Sequence, residues 1–223
     1  MVAFAVMDRE IMESKKCSGV FSYFEKRYNL PPNILHAISL QETQKAHSKH
    51  NINVVWPWTI NVEGKGFHFR NKNEALRFVK AQMREGKSSI DVGCMQINLK
   101  YHPDAFVSLE QAFSPRRNVA YAARLLRQHY EKHGSWKKAV GYYHSSTEHR
   151  ALDYQASVSK INSKMLAYKQ SLNHYSRNHG YKNTNSNKLN GQGSRYKPKY
   201  LGMDKVSINS GKIKRENMFR RVQ

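Results

Sequence analysis

Glu42 is the carboxylate whose setting in the sequence best suits proton transfer. Pro31-Pro32 suit a first helical turn, where a missing N–H costs nothing, and Ile34, Ile38 and Glu42 then recur along one helical face. A charge thus ends an apolar stripe. With that stripe against a core, the carboxyl loses water, its charged form is disfavoured, and its pKa rises towards that of a useful acid. A small rotation of the helix would instead leave Glu42 as an ordinary solvated glutamate.

Other residue types with chemical reach are fewer. Gln96 sits in the apolar run Ile90-Asp91-Val92-Gly93-Cys94-Met95-Gln96-Ile97-Asn98, where a side-chain amide needs a hydrogen-bond partner or a ligand. His129 and His133 stand at metal-ligand spacing on a helix, but no third ligand shares that face, so a solvated face is the better reading and no metal is expected. Cys17 and Cys94 either form one disulfide, worth about 4 kcal/mol in the chain-entropy model, or are two buried thiols; no C-x-x-C occurs. Trp56-Pro57-Trp58-Thr59 could present aromatic faces to sugars, although packing is the commoner fate of such residues.

The elements that would position these groups are mostly helical. Residues 8–28 carry Val20, Phe21, Phe24 and Tyr28 as a core-facing stripe, and Asn29-Leu30-Pro31 ends that helix. The Glu42 helix gives way to a polar stretch, Gln44 to Asn53, read as a loop. Alternating β-formers on both sides of Glu63-Gly64-Lys65-Gly66 predict a hairpin. Asn73 is placed to cap a helix over Glu74 to Glu85 that stops at Gly86. Leu109, Ala112 and Phe113 make a short helical element. Asn118 to His133 is strongly periodic, and an aromatic helix begins at Trp136.

Composition changes near residue 150. The last 73 residues hold fifteen lysines and arginines against three acidic residues, twelve of the chain's twenty-two net positive charges. The expected organisation is a domain over 1–150 with its core at about 17–146, a helix over 151–172 able to pack on it, and a basic, low-complexity tail over 173–223, largely disordered. The charge calls for an anionic partner without choosing one; the absence of interleaved Arg/aromatic motifs argues against nucleic acid. No stretch approaches the roughly 20 apolar residues of a membrane span. Met1 to Met7 lacks the parts of a signal peptide.

Gln41-Glu42-Thr43, Gly93-Cys94-Met95-Gln96 and Tyr142-Tyr143-His144 stand in an order that resembles the lysozyme-like domain of bacterial lytic transglycosylases of the soluble (SLT) type. The resemblance covers about Cys17 to Ser146. Thr43 keeps a hydroxyl after the glutamate and Met95-Gln96 is intact, whereas Cys94 replaces a leucine and His144 an asparagine of the family's motifs. The resemblance implies a mainly α, α+β lysozyme-like fold with a small β-hairpin. It implies no cofactor, a peptidoglycan substrate and a place in the bacterial periplasm or cell envelope. Glu42 would be the catalytic residue, with Thr43, Met95, Gln96, Tyr143 and His144 at the substrate and Tyr143 orienting Glu42. A glycosidase with two carboxylates needs them about 5–10 Å apart. None of Glu63, Asp91 and Asp104 has a comparable context, and Asp91 reads as ordering its loop or capping a turn. The resemblance implies that one glutamate suffices, as acid and then base, giving a 1,6-anhydro sugar. A water-using muramidase, or a basic binding and assembly protein with a vestigial glycosidase domain, are the alternatives. By analogy with family members that open the wall for secretion or conjugation machines, the tail could dock such a partner.

Overall fold

In the computed structural model, which describes residues 8–178, the chain opens with α1 (Arg9–Arg27), capped by the Asp8 carboxylate accepting from the Glu10 and Ile11 N–H groups. Its apolar face, with Cys17, Phe21 and Phe24, is buried. The next helix, α2 (Ile34–Thr43), is apolar almost all round and correspondingly central, with Leu35, Ala37 and Ile38 wholly buried. Asn33, the residue before it, makes no side-chain cap. Glu25 of α1 does that work across the turn: its two oxygens accept from Asn33 N–H (3.1 Å) and Leu35 N–H (3.0 Å). At the other end of α2, His68 Nε2 donates to the Thr43 carbonyl at 2.6 Å.

The stretch read as a loop contains a small antiparallel pair, β1 (Lys45–Ala46) and β2 (Asn53–Val54). Two-residue strands leave no periodicity to read. What holds this pair is long-range: Glu10 accepts from Lys45 Nζ (2.7 Å) and from both the backbone and the hydroxyl of Ser48 (2.7 and 2.6 Å). The expected hairpin is β3 (Thr59–Val62) and β4 (Lys65–His68). It is extended by β5 (Ile90–Val92) and β6 (Ile97–Asn98) into a four-stranded antiparallel sheet of order β4-β3-β5-β6. Trp56 and Trp58 are packing residues: both are buried, with their indole N–H groups donating to the Phe69 carbonyl and the Glu13 carboxylate.

Between β4 and β5 runs α3 (Lys72–Arg84), capped by Asn71, two residues before the expected Asn73; the Asn71 side chain accepts from Glu74 N–H. α4 (Leu109–Ala112) is a single turn, and α5 (Pro115–His133) starts three residues earlier than its periodicity indicates, with Pro115 at its first turn. α6 (Trp136–His144), α7 (Glu148–Ser163) and α8 (Met165–Asn178) complete the described residues.

Two apolar clusters result. One joins α1, α2, α5, α6 and α7 around Leu35, Ile38, Met95 and Leu126; the other lies between the sheet, α3 and α4 around Ile60, Val79, Ile90 and Phe113. The composition break at 150 is no break in packing. α7 lies against α2 and α6 and buries Tyr154 and Val158 in the first cluster. Residues 173–178, placed by composition in the tail, continue α8, where Tyr175 stacks on His50 with ring centres 4.0 Å apart. The rest of the expected tail, 179–223, and Met1 to Met7 lie outside the described residues. Among the described residues no helix is long and apolar enough to cross a membrane.

Candidate active site

Between the helical cluster and the sheet lies a groove with Glu42 at its centre. On one side a cavity of about 300 Å³ is lined by Glu42, Asp91, Gln96, Asn98, Tyr143 and His144, and by Tyr101 and His102. On the other, a cavity of about 420 Å³ is lined by Glu42, Gln44, Arg150, Asp153, Tyr154 and Ser157. Asn61 and His144 line both, so the groove passes Glu42 rather than ending at it.

Glu42 is partly buried at the end of α2. Burial, reinforced by the like charge of Asp91, pushes its carboxyl up to about 7, against a hydrogen bond from Tyr154 that favours the ionised form. That bond runs from Tyr154 Oη to Glu42 Oε1 at 2.5 Å, and the Tyr154 ring is stacked on His144 with centres 4.5 Å apart. Burial and the Glu42 charge hold the Tyr154 hydroxyl well above its usual range, so it serves as a donor. Its signal in the sequence was spacing: Tyr154, Val158 and Ile161 form one helical stripe beyond the apparent boundary. The contact with Glu42 expected of Tyr143 is made instead by a residue on the next helix. Tyr143 lines the groove but donates its hydroxyl to the Met95 carbonyl at 2.7 Å.

The turn after β5 is built for rigidity. Gly93 has φ +84, and a Cβ there would lie 2.6 Å from Asn118 Nδ2. Asn118, wholly buried on α5, receives Met95 N–H (2.9 Å) and donates to the carbonyls of Val92 (2.9 Å) and Ala112 (3.2 Å). Cys94 is joined to Cys17 of α1 by a disulfide, with Cα atoms 5.8 Å apart, and its carbonyl accepts from Ser39 Oγ of α2 at 2.7 Å. This turn presents Gln96, whose φ is +46 and whose amide donates to the carbonyls of Thr59 and Gly93, both at 3.0 Å.

Two residues expected at the substrate face the wrong way for it. Thr43 is buried, and its hydroxyl donates to the Ser39 carbonyl one turn back (2.8 Å), because a threonine at the end of an apolar helix satisfies itself locally. The Met95 side chain is wholly buried in the helical core, and only its backbone serves the site. Gln96, Tyr143 and His144 do line the groove. So does Asp91, which the sequence left as a loop-ordering residue. Cross-strand pairing puts Asn61, Asp91 and Asn98 in one row over β3, β5 and β6, and all three border the cavity that holds Glu42. Among the described residues one His/Asp cluster, Asp8, His47 and His50, has ligand atoms close enough for a metal, and it stands apart from this groove. His47 Nδ1 accepts from the backbone N–H groups of Lys49 (3.0 Å) and His50 (3.2 Å), which leaves the ring proton on Nε2, the atom facing Asp8. That proton makes the cluster a hydrogen-bonded brace rather than a metal centre.

The family model for the transglycosylase SLT domain matches residues 19–166, taking in α2, the sheet, the Gly93–Gln96 turn, α6 and α7. The chain belongs to the transglycosylase SLT domain family. Membership brings glycosidase-type activity of the lytic transglycosylase kind, with peptidoglycan as substrate. The matched span runs past residue 150, as the packing of α7 requires of this SLT domain. No curated protein and no solved structure matches the chain.

Proposed function

We propose that this SLT domain cleaves the β-1,4 bond between N-acetylmuramic acid and N-acetylglucosamine in peptidoglycan strands and leaves a 1,6-anhydro-muramoyl end. The observation that carries the reading is Glu42: a carboxyl at the middle of an open groove, buried enough to titrate at about 7. An acid that must become a base in the same cycle works best when its pKa lies near the working pH. Glu42 Oε–H gives its proton to the glycosidic oxygen as the C1–O bond breaks, and the substrate's acetamido carbonyl bonds to C1. The ionised Glu42, held by Tyr154, then takes the C6 hydroxyl proton as O6 bonds to C1 and the acetamido oxygen leaves. No water enters, and the internal nucleophile gains its rate from proximity. The place of action that follows is the cell envelope, on the periplasmic side.

A hydrolytic muramidase is the competing reading, favoured by the presence of Asp91 in the same cavity. Digestion of purified sacculi separates the two. Mass spectrometry is expected to find anhydro-muramoyl ends with the native chain and none above background with Glu42→Gln. Reducing ends alone from the native chain would overturn the transglycosylase reading.

A further inference from the structure

In the cavity that Glu42 shares with Gln96 and Tyr143, the transglycosylase reading leaves the second carboxylate without a task. Asp91 projects from the middle strand of the row Asn61, Asp91, Asn98, into the cavity it shares with Glu42, Gln96 and Tyr143. A carboxylate at the wall of a sugar groove is costly to keep there, because burial disfavours its charged form. Asn98 offsets part of that cost by hydrogen bonding to it. Its neighbours in the row are amides, Asn61 with its backbone across from it and Asn98, so no cation in the row neutralises it. Among the described residues the one arginine bordering the groove, Arg150, lines the other cavity together with Asp153. An uncompensated anion facing the reacting sugar is what a reaction that develops positive charge on that sugar can use.

We propose that Asp91 is a second catalytic residue, which accepts the acetamido N–H of the reacting muramoyl sugar and stabilises the cationic oxazolinium formed when the acetamido oxygen bonds to C1. This rests on the transglycosylase reading and adds a residue to it. The step balances with the proton movements already given: the N–H proton stays on nitrogen throughout, positive charge spreads over O, C and N of the ring while C1 is bonded to the acetamido oxygen, and it disappears when O6 replaces that oxygen. Asp91 orients the acetamido group for attack before the bond breaks and offers charge when it has broken. The two carboxyls are set apart by their contacts: burial raises both, Asn98 favours the ionised form of Asp91, and the like charge of Asp91 helps to push Glu42 up to about 7. The other titratable or charged groups lining the two cavities are Tyr101, His102, Tyr143, His144, Arg150, Asp153 and Tyr154. Burial holds both histidines below their usual range, so they stay neutral where Glu42 titrates.

The test uses the full chain with Asp91→Asn and Asp91→Ser, on sacculi for products and on defined glycan strands for rates. Thermal melts establish that each variant is folded, and Asp91→Ser stands in should the asparagine variant fail. The expected result is kcat lower by about 100-fold with KM within about twofold. Anhydro ends remain the product, and the alkaline limb of the pH profile moves to lower pH because Glu42 has lost a like-charged neighbour. A native kcat and pH profile in the folded variants would overturn the proposal. So would a raised KM with kcat unchanged, which marks Asp91 as an ordinary sugar ligand, or the loss of reducing ends alone from a mixed product, which marks it as a base for water. Reducing ends only from the native chain is the separate failure of the transglycosylase reading, and it takes the role of Asp91 down with it.

Discussion

Replacing Glu42 by glutamine is expected to stabilise the folded chain in alkaline solution and to change little in acid. The carboxyl titrates at 4.5 when unperturbed and at about 7 in the fold. Below the lower value both states hold the proton and the site contributes no pH dependence. Between the two, the unfolded chain has released the proton and the folded chain retains it, so stability falls as pH rises, by about 1.4 kcal/mol per pH unit. Above the folded value the loss is complete, about 3 kcal/mol for the shift from 4.5 to about 7. Glutamine never ionises, and its amide oxygen can still accept the Tyr154 hydroxyl that Glu42 Oε1 receives at 2.5 Å. Urea unfolding of the two proteins between about pH 4 and pH 9 measures the effect directly. Other acids with raised values, Glu25 and Asp91, titrate in both proteins and drop out of the difference to first order. The advantage of the variant should grow from near zero at the acid end to about 3 kcal/mol at the alkaline end, equivalent to about 6–12 °C in Tm. A difference that does not change with pH would refute the premise that the groove keeps Glu42 protonated, and with it the argument for its role as an acid.

Two further outcomes follow from contacts around the same residue. Tyr154→Phe removes the donor that favours ionised Glu42, so the alkaline limb of kcat/KM should move to higher pH while kcat falls; an unmoved limb would mean that the Tyr154 bond does not reach the acid in solution. Cys17→Ser combined with Cys94→Ser releases a cross-link between residues 77 apart, and should cost about 4 kcal/mol, read as a fall in Tm of the order of 10 °C that the native chain reproduces under reductant.

Much of the helical frame was legible because periodic burial writes itself into sequence: the stripes of α1, α2 and α5 name their own core residues, Phe21, Ile38 and Leu126 among them. Glu42 was legible for the same reason, as the polar residue that ends such a stripe. What could not be read was whatever depends on pairing at a distance. β1, β2, β5 and β6 are two or three residues long and exist through their partners, so Asp91 looked like a loop residue until its strand placed it opposite Asn61. Tyr154 was hidden by composition. A shift to polar residues near 150 resembles the end of a domain, although the stripe through Tyr154 and Val158 continues across it. Thr43 and Met95 erred in the opposite direction: the motif marked their positions, but their side chains turn inward to satisfy a hydroxyl and to fill a core.

The clamping of α2 has a consequence for how this groove can vary. A ten-residue helix is a rod about 15 Å long. Its first N–H groups are seized by Glu25 and its last carbonyl by His68, one on a helix and one on a sheet edge. The position of the acid is therefore surveyed from two landmarks on different parts of the molecule, and neither borders the cavities beside Glu42. Substitutions at those landmarks would misplace the carboxyl without altering the lining of either cavity. The place of the carboxyl is thus fixed at both ends of a rod by residues outside the groove, in addition to the contacts it makes within it.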